Sequence, residues 1–261
     1  MRFKLIYNIL FIGLISCNSK SDQITTKANE PSVKTEAKAP KSEPVKEELN
    51  WPSADKAMSF LKKYGTENLE NKVVLKTRLG DITIQLYDDT PLHRANFIFN
   101  TKRKLYEKTI FYRVVPNFMI QGGNSDYDKT LEMRASNSAY YITSEVRANH
   151  IHKKGAVAMA MTYTDNPEMK SAQYSYYIVI GKTFDEAVLE ATEKEYKIKI
   201  PETNKAIYKS LGGTPHLDGV HTVFGEVIEG MDVVEAISNE KTDSGDWPIN
   251  DVIINCEVVK D

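Results

Sequence analysis

Cysteine is nearly absent from this chain: two occur in 261 residues, too few to staple a disulfide scaffold. An excess of positive charge is missing too. Thirty-four Lys+Arg stand against 36 Asp+Glu, for a formal net charge of −2, so the footprint of a general nucleic-acid binder is not there. No apolar run reaches the ~20 residues that a membrane helix needs, which excludes a multi-span membrane protein. Large rings, by contrast, are plentiful: 14 Tyr, 9 Phe and 2 Trp exclude a wholly disordered polymer. The length suits one large domain or two small ones.

The compartment is read from residues 1–17. Arg2 and Lys4 precede an apolar stretch from Leu5 to Ile15, a charged segment and a short greasy one in the order of an export leader. The stretch ends in Leu14-Ile15-Ser16-Cys17, which resembles the lipobox of bacterial lipoproteins. The resemblance implies cleavage before Cys17 and acylation of its thiol and new amine; the plain alternative is a secretory signal with an incidental cysteine. Several acyl chains, at ~0.8 kcal/mol per buried CH₂, anchor stably where one does not. Asn18 follows instead of the aspartate that resembles an inner-membrane retention signal, which points to outer-membrane sorting. The expected location is therefore the cell envelope, lipid-anchored, on its periplasmic or surface side. Loss of Arg2 and Lys4 leaves a formal charge of −4, with no electrostatic reason to lie on anionic lipid. Cys256 shares strand parity with Val252, Ile254 and Val258 and reads as a buried structural cysteine.

Residues 18–50 carry no aromatic side chain and consist mostly of Lys, Glu, Ser, Thr, Ala and Pro. Such a segment cannot offset its ordering entropy by burial, so a disordered tether with a reach of about 30 Å is expected. In residues 51–70 Ala57, Phe60, Leu61 and Tyr64 have helical spacing, and Gly65 reads as the stop. Residues 71–261 form the main domain. Alternating runs predict strands at 72–79, 82–87, 109–115, 118–121, 156–161, 176–180, 223–227 and 252–259, with a turn at Gly80-Asp81. Helices are predicted from Pro91 to about Lys104 and from Met231 to Ile237. Between 184 and 212 lies a charged, helix-favouring insertion broken at Pro201, readable as a partner site or a lid. Many short strands with two main helices predict a mainly β fold, a closed β-barrel.

The run Phe111-Tyr112-Arg113-Val114-Val115-Pro116-Asn117-Phe118-Met119-Ile120-Gln121-Gly122-Gly123 resembles the signature of the cyclophilins, barrel-shaped peptidyl-prolyl isomerases. Gly80-Asp81-Ile82, Ala95-Asn96-Phe97, the segment Lys154 to Ala160 and the block His216 to Gly225 resemble further family motifs in the family's order. The resemblance spans about Lys72 to Val259 and implies an eight-stranded antiparallel barrel capped by two α-helices.

Rotation about a peptide bond faces a barrier of ~18–20 kcal/mol because nitrogen lone-pair resonance must be broken. Before proline both isomers are populated and exchange in ~10–100 s. A catalyst must hold the ring and favour a pyramidal nitrogen; a guanidinium there donates to a lone pair that exists only once resonance is lost. A 10⁴-fold effect requires about 5.5 kcal/mol. Arginine stays charged and presents a rigid fork of donors, and Arg113 is the candidate.

The resemblance implies the remaining roles. Gln121 orients the arginine and contacts substrate backbone. Phe118, Met119, Leu217 and His221 line the proline pocket, and Tyr177 takes its aromatic position. Main-chain groups of Ala160 and Met161 hold the residue before proline, and Gly122-Gly123 reads as a turn. This sequence departs from the pattern at several places. Ser175, in Gln173-Tyr174-Ser175-Tyr176-Tyr177, stands where a second substrate-contacting glutamine is usual, unless a two-residue slip brings Gln173 there. His216 replaces the tryptophan of drug-sensitive eukaryotic relatives, and Tyr112 and Asn124 replace the usual His and Asp. His150 and His152 read as a polar loop, not metal ligands, because their neighbours are cationic. No cofactor, metal or nucleic acid is implied; proline-containing polypeptides are the expected partners of a monomer. Two functions stand: a lipid-anchored isomerase of exported proteins, or a module that grips X-Pro segments with little turnover.

Overall fold

The computed structural model describes residues 51–259; the expected leader, Cys17 and tether lie outside the described residues. Strands β1 (Lys72–Thr77) and β2 (Gly80–Leu86) form the first hairpin, with Val73 opposite Ile84 and Leu75 opposite Ile82, all four buried. The turn falls at Arg78-Leu79, two residues before the expected Gly80-Asp81. The Thr77 hydroxyl donates to the Gly80 carbonyl (2.8 Å) and accepts from the Leu79 N–H (3.1 Å), closing the turn early and keeping Gly80 and Asp81 in the ladder.

The other strands are β3 (Thr109–Val115), β4 (Met119–Asn124), β5 (Ala156–Met159), β6 (Tyr176–Val179), β7 (Val223–Glu229) and β8 (Ile253–Val258). They close a barrel in the order β1-β2-β7-β5-β6-β4-β3-β8, with β8 pairing back on β1 and every neighbour antiparallel. Closure leaves no sheet edge to protect. Gly122 and Gly123 lie inside β4, not in a turn. Gly123 has φ +102, and a Cβ there would stand 2.2 Å from the Tyr174 carbonyl oxygen, so only glycine fits this approach.

Helix α1 (Ala57–Glu67) runs through Gly65 instead of stopping there. A Cβ at Gly65 would sit 3.1 Å from that of Ala95 on α2 (Pro91–Lys102), and Arg94 donates to the Gly65 carbonyl. The glycine thus sets how closely the two helices approach. Phe60 and Tyr64 pack edge-on against Phe99, laying the apolar stripe of α1 on α2. Helix α3 (Asp128–Ala135) went unread because only Thr130 is buried on it; Arg134 ties it down, donating to the Gly123 and Leu105 carbonyls and stacking on Tyr174. The insertion folds as α4 (Glu186–Tyr196) and α5 (Glu202–Ser210), and α6 (Met231–Ser238) follows β7. Cys256 is buried, and burial pushes its thiol up.

The start of α2 has no side-chain cap from Thr90. Glu145, far along the chain, accepts the N–H groups of Leu92 (3.1 Å) and His93 (3.0 Å) and meets His93 Nδ1 at 2.7 Å, while His93 Nε2 meets Ser171 Oγ at 2.9 Å. All three side chains are buried, so this Ser–His–carboxylate set serves as a remote helix cap. Glu145→Ala strands two helix donors and an imidazole, and is expected to lower unfolding free energy by about 3 kcal/mol; Glu145→Gln, which still accepts, should lose less. Urea denaturation checks both.

Candidate active site

Side chains of opposite parity on the barrel strands go to different places. Ile120, Val157, Tyr176, Ile178 and Phe224 enter the main core, whereas Met119, Ala158, Tyr177, Val179 and Val223 form a second cluster with Phe118, Ala160 and Leu217. Register aligns this second face. Arg113 lies opposite Gln121, Gln121 opposite Tyr177, Tyr177 opposite Ala158 and Ala158 opposite Val223, one row across β3, β4, β6, β5 and β7. Directly opposed residues share a face, so antiparallel pairing alone brings Arg113 beside the apolar cluster.

Nine of the residues singled out from sequence line one cavity of about 170 Å³: Arg113, Phe118, Met119, Gln121, Ala160, Met161, Tyr177, Leu217 and His221. Phe118 follows Asn117, whose positive φ turns the chain back between β3 and β4, and Leu217 comes from a 3₁₀ turn, Pro215–Leu217. The Ala160 N–H already donates to Ser175 and its carbonyl accepts from Ala172. Among the described residues Met161 makes no main-chain hydrogen bond, so of the two it is Met161 that keeps backbone groups for a ligand.

Arg113 is 43% exposed, and its Nε donates to Asp246 Oδ2 (3.3 Å), leaving the terminal nitrogens as further donors. Asp246 holds φ +65 in a turn pinned by Asp243, which accepts the Gly245 and Trp247 N–H groups, and the Asp246 carbonyl accepts from Val114. Gln121 does not orient the arginine through its side chain, as the resemblance implied. Its amide donates to the Tyr112 hydroxyl and to Ser175 Oγ (3.0 Å), and Tyr112 and Ser175 meet at 2.6 Å. Ser175 thus reaches the cavity only through Gln121 and faces a second cavity of about 470 Å³. Gln173 does not take its place: the residue is buried, its side-chain Oε1 accepts the Tyr140 N–H (3.4 Å), and its backbone carbonyl accepts the Asn96 and Asn100 amides of α2.

His216 sits behind the wall, stacked between Phe118 (5.8 Å) and Tyr196 (4.8 Å), and burial lowers its pKa. His150 and His152 lie in a loop and make polar contacts, as expected, but not as a solvated pair. His150 stacks on Tyr87 and pairs with Asp89; His152 is fully buried, with Asp218 and Tyr177 as partners. Their carboxylates come from distant segments that local spacing does not show. Sequence reading also missed Tyr163, which lines the cavity and meets His221 Nε2 with its hydroxyl (2.7 Å), and Asp246. The Asp243-Ser244-Gly245-Asp246 run signals a turn, but nothing in it points to residue 113.

Burial lowers the His221 pKa from its ordinary 6.5 to about 4, against the opposing bond to the Met159 carbonyl. The unfolded chain takes up a proton below 6.5 that the native ring refuses until about 4. Stability is therefore intact above 6.5 and falls between 6.5 and about 4, with a loss near pH 5 of about 2 kcal/mol. Urea midpoints at about pH 7.5 and pH 5 should show this decline, reduced in His221→Gln.

Fold and site together define a class: an eight-stranded β-barrel protein with a small apolar cleft, edged by one guanidinium, on its outer face. Residues 72–258 match the family described as cyclophilin type peptidyl-prolyl cis-trans isomerase/CLD. A Staphylococcus haemolyticus protein named "Putative peptidyl-prolyl cis-trans isomerase" is 32% identical over 216 residues, covering 81% of this chain and 98% of its own. A Staphylococcus aureus protein of the same name is 34% identical over 189 residues, covering 71% and 89%. The crystal structure of a Cryptosporidium parvum cyclophilin type isomerase superposes with TM-score 0.51 at 18% identity, covering 74% of this chain and 99% of its own. The same protein solved in the presence of the dipeptide Ala-Pro gives TM-score 0.50, also at 18% identity, over 73% and 99%. The chain belongs to the cyclophilin-type peptidyl-prolyl cis-trans isomerases.

Proposed function

We propose that the chain isomerises X-Pro bonds of exported polypeptides from a lipid anchor on Cys17, with Arg113 as the group that stabilises the twisted amide. One observation carries the reading: register sets Arg113 in the same outward row as Gln121 and Tyr177, at the edge of a cavity whose walls are Phe118, Met119, Leu217 and His221. The apolar walls suit a proline ring, and the free ends of the guanidinium fork suit a nitrogen lone pair that exists only in the transition state. Gln121 is the polar group between the arginine and Tyr177, held by Tyr112 and Ser175, and Met161 offers main-chain groups to the residue before proline. That a cyclophilin type isomerase of similar fold was solved in the presence of Ala-Pro supports a proline-containing ligand. The leader and its Ser16-Cys17 end support export and anchoring, and Asn18 supports the outer membrane.

A protease-coupled assay on a peptide with a cis X-Pro bond tests the reading, with Arg113→Ala as the control. Equal rates for the two proteins would overturn the role of Arg113. Peptide binding without turnover would favour the proline-gripping module.

A further inference from the structure

The insertion is fastened to the proline cavity by a chain of buried and half-buried hydrogen bonds. On α5 the hydroxyl of Tyr208 donates to Asp218 Oδ2 (2.6 Å). The other oxygen of Asp218 accepts both the backbone N–H of His152 (2.8 Å) and its Nδ1–H (3.0 Å). A carboxylate oxygen only accepts in such a contact, so Nδ1 carries the hydrogen, and in the neutral ring Nε2 presents its lone pair. That lone pair meets the Tyr177 hydroxyl at 3.0 Å, and Tyr177 is the donor. Tyr208, His152 and Tyr177 are all buried.

The chain ends on two walls of the cavity. Tyr177 is one wall, its ring edge-on to His221 at 5.5 Å; Leu217, the other, immediately precedes Asp218 at the end of its 3₁₀ turn. The far end is equally well fixed. Lys205, only 6% exposed on α5, pairs with Glu186 and Glu193 of α4 and with Glu202, so the two helices act as one block. Leu189, Ile200 and Tyr208 pack that block against Ile151, next to His152.

We infer that α5 is a positioning element for the isomerase site: through Asp218 and His152, Tyr208 holds Tyr177 and Leu217 at the separation a proline ring requires. This rests on the cavity being the proline site. A hydroxyl on Tyr177 pins the tip of a ring that otherwise has only packing to orient it, and a satisfied buried network rigidifies what it joins. The block contacts proline through these walls alone, so its effect falls on ring binding more than on the charge effect of Arg113.

The test uses the full chain, Tyr208→Phe, Tyr177→Phe and the double variant, with affinity for an Ala-Pro peptide read by NMR titration alongside isomerase kinetics. Each single variant is expected to weaken peptide binding and raise KM about three- to tenfold, with kcat within about twofold. The double variant should be no worse than either single one, because both break one chain. Asp218→Asn still accepts from His152 through its amide oxygen and should bind near normally, whereas Asp218→Ala should not; this rescue separates positioning from loss of fold. Normal binding by Tyr208→Phe, additive losses in the double variant, or a loss confined to kcat would each overturn the inference. Binding is measured independently of turnover, so an inactive wild type would refute the catalytic role of Arg113 while the affinities still decide this one.

Discussion

Arg113→Ala is expected to lower kcat/KM on a cis X-Pro peptide by about 10²–10³-fold, the range seen when one preorganised donor to a transition state is removed. At ~1.4 kcal/mol per tenfold, that is roughly 3–4 kcal/mol of lost stabilisation. Little of it should appear as lost stability. The guanidinium is 43% exposed and its partner Asp246 45%, and exposed pairs contribute about 0–1 kcal/mol. Thermal unfolding of the variant should therefore stay close to wild type while the rate collapses. Arg113→Lys restores the charge but not the fork: one flexible ammonium cannot hold Asp246 through one edge and present two donors from the other. It should recover only part of the rate. A variant that isomerises as fast as wild type would remove the electrostatic account, whatever its stability.

Cys17→Ala is expected to abolish palmitate labelling, with the isomerase rate unchanged. The proposed acyl chains would supply the anchor at ~0.8 kcal/mol per buried CH₂, and the −4 formal charge that cleavage would leave supplies no substitute. Labelling reports on Cys17 cleanly, because Cys256 is buried and its thiol pushed up, away from the reactive thiolate. Undiminished labelling of the variant would exclude Cys17 as the lipidated residue.

Strands were legible wherever alternation was strict. In β2 Ile82, Ile84 and Leu86 are buried and the residues between them less so; Thr109–Val115 has the bounds its sequence suggests, although Thr109, Ile110 and Phe111 are all buried and its register against β4 shifts. The errors fall where one residue serves a distant partner. Gly65 looks like a helix stop, but its missing side chain admits Ala95. Gly122-Gly123 looks like a turn, but in β4 it makes room for the Tyr174 backbone and Phe111. His152 does lie in a polar loop, but its burial against Asp218 and Tyr177, which come from later in the chain, has no local signal. Helix α3 lacks the apolar stripe by which helices are recognised, being held by Arg134 instead.

The order of residues in the chain was enough to determine the barrel, the arginine and the apolar walls, because alternation and motif spacing are local and each strand carries its own record of which face is buried. Which groups touch Arg113, that Gln121 serves Tyr112 and Ser175, that Met161 keeps free main-chain groups, and that a helix 200 residues into the chain is linked to the cavity beside Arg113 through Tyr208, Asp218 and His152, were decided only by tertiary structure. Hydrogen bonds between segments far apart in sequence leave no periodicity in either segment, and they exist only once closure of the barrel has brought the two together.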